Sequence, residues 1–206
     1  MKILIGTTNE SKIKRFKELI NKEVEFLTLK DLNIESEPQE KGNTPEENAR
    51  IKAEFYGKFF DTVICNDSGL YFNELPITDS RQPGLNIRTP QGKRLDDEEM
   101  IEYYSKLIKS LGGKVSAFYL DGFAIYKNGK VFSYMNLDFA KQMDFFMVDS
   151  PVKERNIGWP LDSLSINKRT GLYFTDKNNK YYNEDNIITA DYMKSLEEFM
   201  AQTLDF

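Results

Sequence analysis

Short apolar runs alternate along the chain with segments whose apolar residues recur every three or four positions, the pattern of strands interleaved with helices. Lys2 to Gly6 reads as a short buried strand, with Thr7-Thr8-Asn9 as the turn out of it. Ile13, Phe16, Leu19 and Ile20 then share one face of a helix starting near Glu10, with Asn9 as its N-cap and Lys12 in its first turn. Val24 to Leu29 predicts a second strand, and 33–43, broken by Pro38 and Gly42, a surface loop carrying Glu35, Glu37 and Glu40. Thr44-Pro45-Glu46-Glu47 is a helix start: a Thr cap, Pro at the first helical position and Glu three residues after the cap. Within this helix Ile51, Phe55 and Phe59 are the expected core stripe, while Asn48 and Lys52 share another face.

Thr62 to Cys65 predicts a buried strand that Asn66-Asp67-Ser68-Gly69 should interrupt before Leu70-Tyr71-Phe72. Residues 76–94, with Pro76, Pro83-Gly84, Pro90 and Gly92, predict an irregular segment. Asp96 to Leu111 has an acidic first turn, helical spacing of Met100, Tyr104, Leu107 and Leu111, and a Gly112-Gly113 stop. Val115 to Tyr126 and Val131 to Phe139 should pair as a hairpin through Asn128-Gly129. Residues 149–186 read mostly as loop around the lone Trp159, and Thr189 should cap a closing helix burying Tyr192, Leu196, Phe199 and Met200. With no repeat and no clear linker, the expectation is one α/β domain over 1–206, a mixed sheet flanked by helices.

Composition narrows the chemistry. The 206 residues suffice for one sizeable core, and 40% hydrophobic with 30% charged residues is ordinary for a globular chain. A net charge of -5 argues against a nucleic-acid polymer as partner. There is no histidine, which removes Ser-His-Asp and Cys-His catalysis and histidine-bound zinc. The one cysteine, Cys65, lies in an apolar run and reads as a buried structural thiol. No apolar run is long enough for a signal peptide or a membrane span, so a cytoplasmic setting without membrane attachment is expected.

What chemistry remains centres on 40–69. A carboxylate (Glu40) precedes a helix that carries Lys52, and Asp67 follows the next strand. Two carboxylates and a cation brought together are a minimal set for a metal ion and a phosphate chain. Each has a plainer reading: Lys52 as a solvated helix lysine, Asp67 as a turn residue, and Thr7 to Asn9 as an ordinary turn between strand and helix.

Three motifs in order resemble those of the inosine triphosphate pyrophosphatase, or Ham1-like, family. They are Thr7-Thr8-Asn9-Glu10-Ser11-Lys12; Glu40 to Ala49 followed by Lys52-Ala53; and Asn66-Asp67-Ser68-Gly69-Leu70, with Pro83-Gly84 and Arg88 after them. The resemblance implies the Maf/Ham1 type of fold, an elongated mixed sheet with an active-site cleft between two lobes. It also implies a house-cleaning enzyme that hydrolyses a nucleoside triphosphate to the monophosphate and pyrophosphate with Mg²⁺. Glu40 and Asp67 would hold the metal, Asp67 and Lys52 would be catalytic, and Thr7, Thr8, Asn9, Lys12, Lys52, Ser68, Gly69, Arg88 and Trp159 would bind substrate. A homodimer is expected on the same ground.

The chain also departs from the family. Asn66 stands where the family usually has an acid, and Thr8 replaces a glycine. Ile157-Gly158-Trp159-Pro160 keeps the glycine and an aromatic of the base-reading segment, with Asp162 only nearby, and the family's late Ser-His-Arg has no counterpart. These changes imply an altered base preference and leave sugar and base open, deoxy and modified forms included. Two other readings follow from them: a nucleotide-binding or regulatory protein with weakened catalysis, and a hydrolase of a modified or pyrimidine nucleotide.

Overall fold

The computed structural model describes residues 1–20, 23–179 and 187–205. Its strands are β1 (Lys2–Ile5), β2 (Glu25–Thr28), β3 (Thr62–Phe72), β4 (Lys114–Lys127), β5 (Lys130–Met135), β6 (Phe145–Val148) and β7 (Ser165–Ile166). The helices are α1 (Glu10–Leu19), α2 (Pro45–Tyr56), α3 (Asp97–Ser110), α4 (Leu137–Gln142) and α5 (Ile187–Leu204), with two 3₁₀ turns, Pro90–Gly92 and Pro160–Ser163. Hydrogen-bonded neighbours in the mixed sheet run β2-β1-β3-β4-β6-β7, with β5 on β4. β1 is parallel to β2 and β3, and β4 is antiparallel to β5 and β6. The chain forms two compact units, one of Met1–Ser68, Leu120–Asn136 and Asp191–Phe206, the other of Gly69–Tyr119 and Leu137–Ala190.

In the first unit α1 and α2 cover opposite faces of the sheet. Strand alternation turns Leu4, Val63, Cys65 and Ala124 to one face, where Ala49, Ala53 and Tyr56 of α2 pack on them. The helix stripe is therefore not the expected Ile51, Phe55 and Phe59. Ile51 and Phe55 are half-buried, and Phe59 lies beyond the helix end, 49% exposed. Alanines at 49 and 53 let the backbone of α2 approach the sheet closely, which larger side chains would prevent. Closest of all is Gly122 of β4, where a Cβ would lie 2.5 Å from Glu46 Cα and nearer still to the Pro45–Glu46 peptide. On the other face Phe16 of α1 meets Phe123 edge-on, with ring centroids 6.1 Å apart. On α5, Phe199 stacks on Tyr134 of β5, while Tyr192, Leu196, Met200 and Leu204 are buried.

The expected hairpin is present. Lys127 pairs with Lys130, and Asn128 and Gly129 have φ of 51° and 78°, as a tight two-residue turn demands. β5 ends at Met135, however, and Leu137 to Phe139 belong to α4. A helix of six residues is too short to print a periodicity on the sequence. In the second unit the α3 stripe is Met100, Ile101, Tyr104 and Ile108, facing Val115, Ala117, Phe145 and Met147. Neither α4 nor β6 was legible as an element, and β7 with its 3₁₀ turn lies inside the expected loop. α5 begins at Ile187, which places Thr189 inside the helix rather than at its cap. The end of the expected 149–186 loop, from 180 to 186, lies outside the described residues.

Cys65 is fully buried with Sγ 3.7 Å from the Gly6 carbonyl, and burial pushes its thiol up to about 12. Folded protein at pH 8 should therefore resist iodoacetamide, with complete labelling only after unfolding in urea, as mass spectrometry would record. Rapid labelling of the native fold would contradict a buried structural thiol.

Candidate active site

The first correction to the sequence reading lies at the centre of the site. β3 does not break at Asn66-Asp67-Ser68-Gly69 but runs unbroken from Thr62 to Phe72. These four residue types favour turns only where nothing else holds them. Here Asn48 and Lys52 hold Asp67, Asp121 holds Ser68, and Gly69 leaves room for the Tyr71 ring, which a Cβ would meet at 2.7 Å. β1 pairs with β3 only at Leu4–Val63 and Ile5–Ile64, so Asn66 to Ser68 continue past the end of β1, where the turn to α1 begins.

In that turn Thr7 Oγ1 accepts from the Asn9 N–H, and Asn9 Oδ1 accepts from the N–H groups of Ser11 and Lys12, so Asn9 is the N-cap of α1. Thr8 and Asn9 are exposed. Lys12 extends from the first turn to place Nζ 4.0 Å from Asp67 Oδ1. A helix N-terminus, a capped turn and a lysine together form a site suited to anions.

Lys52 Nζ lies 3.0 Å from Asp67 Oδ1 and 3.0 Å from Glu40 Oε2. The ammonium thus bridges the two carboxylates that the sequence proposed as a pair. Asp67 and Lys52 are largely buried, their side chains 13% and 14% exposed. Burial alone would lower Lys52, but Asp67 and Glu40 reverse this and hold it above the usual lysine value. Burial pushes Lys12 below that value, against the pull of Asp67. The two lysines of one site are therefore held differently, Lys52 between two acids and Lys12 more loosely on one.

Asn48 was noted in the sequence only for sharing a face with Lys52; the structure gives it a role. Its Nδ2 donates to Asp67 Oδ2 at 3.0 Å and its Oδ1 accepts the Gly42 N–H at 2.8 Å, so one buried amide ties the Glu40 loop to β3. Gly42 must be glycine, because a Cβ would lie 2.7 Å from Asn48 Oδ1. Two further residues escaped sequence reasoning: Asp121, whose Oδ1 accepts from Ser68 Oγ, and Arg15, whose Nη1 donates to Asp121 Oδ2. An acid inside the apolar run Leu120 to Ile125 was the signal available for the first.

Asn66 points the other way. Alternation along β3 places it with Ile64 and Ser68, on the face opposite Asp67. It is buried, and its Oδ1 has no hydrogen-bond partner among the described residues.

The remaining sequence candidates belong to the second unit. Gly69 leads into Leu70, which bridges Gly84 at φ 55°. Arg88 donates to Asp97 at 2.8 Å at the start of α3. Trp159 is 47% exposed at the start of the 160–163 turn, and Asp162, raised by burial, accepts from Asn156. Among the described residues no group of three or more His, Cys, Asp or Glu side chains is placed to hold a metal ion.

The Ham1 family model matches residues 3–159. This chain belongs to the Ham1 family. A relative from Thermoanaerobacter sp. (strain X514), named a dITP/XTP pyrophosphatase, is 30% identical over 185 residues, covering 84% of this chain and 89% of the relative. Another of that name, from Oceanobacillus iheyensis, is 40% identical over 114 residues, covering 53% of this chain and 54% of the relative. The chain spans 60%, 54% and 57% of the length of the first curated relatives it matches. The Ham1 protein of Staphylococcus aureus has the same fold, with a TM-score of 0.72 at 22% identity over 98% of this chain and 100% of that one. A HAM1 protein from Coxiella burnetii agrees, with a TM-score of 0.74 at 18% identity over 98% and 99% of the two chains. The expected α/β fold and family are thereby established.

Proposed function

We propose that this Ham1-family chain is a nucleoside triphosphate pyrophosphatase, hydrolysing the bond between the α- and β-phosphates to give a monophosphate and pyrophosphate. The observation that carries this reading is the convergence of Glu40 and Asp67 on the Lys52 ammonium, beside Lys12 at the N-terminus of α1. Relatives named dITP/XTP pyrophosphatase support it.

The donors fit a hard divalent cation such as Mg²⁺. They are two carboxylate oxygens aimed at one point that a cationic group already occupies. Glu40 and Asp67 would hold the ion, and phosphate oxygens and water would complete its shell, the usual manner for magnesium. Bound there, the ion would neutralise phosphate charge and favour ionisation of a bound water.

The chain's own residues supply the rest. Lys12 and Lys52 pair with phosphate oxygens, and the Thr7 to Asn9 turn sets the N-terminal end of the α1 dipole toward a triphosphate of about four negative charges, the N–H groups of Thr7 and Asn9 being already donated to the Ile5 carbonyl and to Thr7 Oγ1. Asp67 takes a proton from the attacking water, and Asn48 keeps its carboxylate oriented for that role. Ser68 borders the same strand segment, while parts for Gly69, Arg88 and Trp159 in substrate binding rest on the family resemblance alone. Asn66 lies on the opposite face of β3 from Asp67 and is given no metal-holding part in this scheme.

Base preference is proposed to differ from that of relatives, because this chain has no histidine and Pro160 follows Trp159. No helix among the described residues is long and apolar enough to cross a membrane. A homodimer in the cytoplasm remains the proposal for the chain's setting, and light scattering would measure the assembly.

A panel of ribo- and deoxynucleoside triphosphates, including inosine, xanthosine and pyrimidine forms, tests the reading by pyrophosphate detection. Release of pyrophosphate from at least one member, abolished by EDTA and restored by Mg²⁺, is expected. Thermal stabilisation by nucleotides without any turnover would instead establish a binding protein.

A further inference from the structure

Asp121 stands in β4 with its side chain only 14% exposed, and its two oxygens are divided between two partners. Oδ1 accepts the Ser68 hydroxyl at 2.6 Å and Oδ2 accepts Arg15 Nη1 at 2.8 Å. The guanidinium also lies over the Phe123 ring, 5.4 Å from its centroid, a second contact that helps hold it in place. Burying such a pair is a poor route to stability, since desolvation consumes most of the attraction and apolar side chains would serve as well.

Its placement suggests another use. Arg15 is three residues after Lys12 on α1, so both project from one side of the helix. Lys12 reaches Asp67 of β3, and Arg15 reaches Asp121, which holds Ser68, the next residue of β3. Two rungs thus join the same helix to the same sheet, and Asp121 is close enough to Lys12 to act on its charge. The Arg15 side chain is 33% exposed, less hidden than the acid that holds it. Asn66, neutral and without a partner for its Oδ1, lies on this face too, so the buried acid here comes from β4 instead of β3.

We propose that Asp121 is a positioning residue that fixes Arg15 as a third cation of the triphosphate site, next to Lys12. A guanidinium suits this place because its planar fork can keep one edge on a carboxylate and offer another to a phosphate. The Ser68 proton is committed to Asp121, so the Ser68 oxygen serves there as an acceptor, for a water or a hydroxyl rather than for a phosphate. This inference rests on the pyrophosphatase reading, and the test separates the two.

Inorganic tripolyphosphate with Mg²⁺ is the probe, because it carries no base, and calorimetry gives its affinity for the full chain. Lys12→Gln tests the parent reading: unaltered binding there, with no pyrophosphate release from any nucleotide, would remove that reading and this inference together. If Lys12→Gln weakens binding, Arg15→Gln and Asp121→Asn should each weaken it roughly tenfold. The double variant should bind about as weakly as either single one, and Asp121→Glu should recover part of the loss. Wild-type affinity in Arg15→Gln, or additive losses in the double variant, would overturn the positioning role while leaving the reading intact. Arg15 is partly exposed, so Arg15→Gln keeps the test decisive even where Asp121→Asn does not fold.

Discussion

Asp67→Asn should lower turnover by roughly a thousandfold, with little change in thermal stability. The substitution keeps the shape of the side chain, and the new amide can still meet the Nδ2 of Asn48 through its oxygen. What it removes is charge at the point where Lys52 and Lys12 both look for an acid. It removes with that the group proposed to accept the proton of the attacking water. Without the carboxylate, Lys52 keeps only Glu40, which is 41% exposed and on a loop. Steady-state kinetics on the best nucleotide of the panel, with magnesium saturating, measure the effect. A kcat within tenfold of the parent chain would mean that another group does this work, and the assignment of Asp67 would fall.

The second large effect comes from a residue with no chemistry of its own. Gly122→Ala should lower stability by about 3 kcal/mol and Tm by roughly 10 °C. The added methyl would press on the peptide joining Pro45 to Glu46, which is backbone at the first turn of α2 and cannot swing aside as a long side chain would. Relief requires α2 to move away from the sheet, and Asn48 and Lys52 ride on α2. Tripolyphosphate affinity should therefore fall along with Tm, although residue 122 faces neither phosphate nor metal in the proposed site. Differential scanning calorimetry and the same binding assay would decide the point. A variant as stable as the parent would show that the helix has more room than the geometry allows.

The legible parts of this protein were those written in local pattern. The α1 start at Asn9, the Thr44-Pro45 start of α2, the acidic start of α3 near Asp96 and the Asn-Gly hairpin all depend on neighbours in sequence, and all stand where expected. Glu40, Lys52 and Asp67 could be named because their motifs lie close together in the chain. The errors arose where distant partners outweigh local preference. Asn66-Asp67-Ser68-Gly69 has the composition of a turn, yet it remains strand because its side chains find partners on α2 and β4. The α2 stripe shifted from bulky to small residues because closeness to the sheet, not hydrophobicity alone, decides which face of that helix turns inward.

By itself the sequence determined the family, the order of strands and helices from β1 to β5, the closing helix, and the types of side chain available for chemistry. It excluded histidine from any mechanism, and it placed two acids and a lysine within one short stretch. Only the tertiary structure decided that these three meet at a single ammonium, and that Asn48 braces the acid between them. Only it turned Asn66 away from Asp67 and brought Asp121, more than fifty residues later, against Ser68 and Arg15. The reason is physical: caps, turns and helical faces are set by atoms a few residues apart. The partner of a buried charge is set by whichever strand or helix packing brings within 3 Å of it.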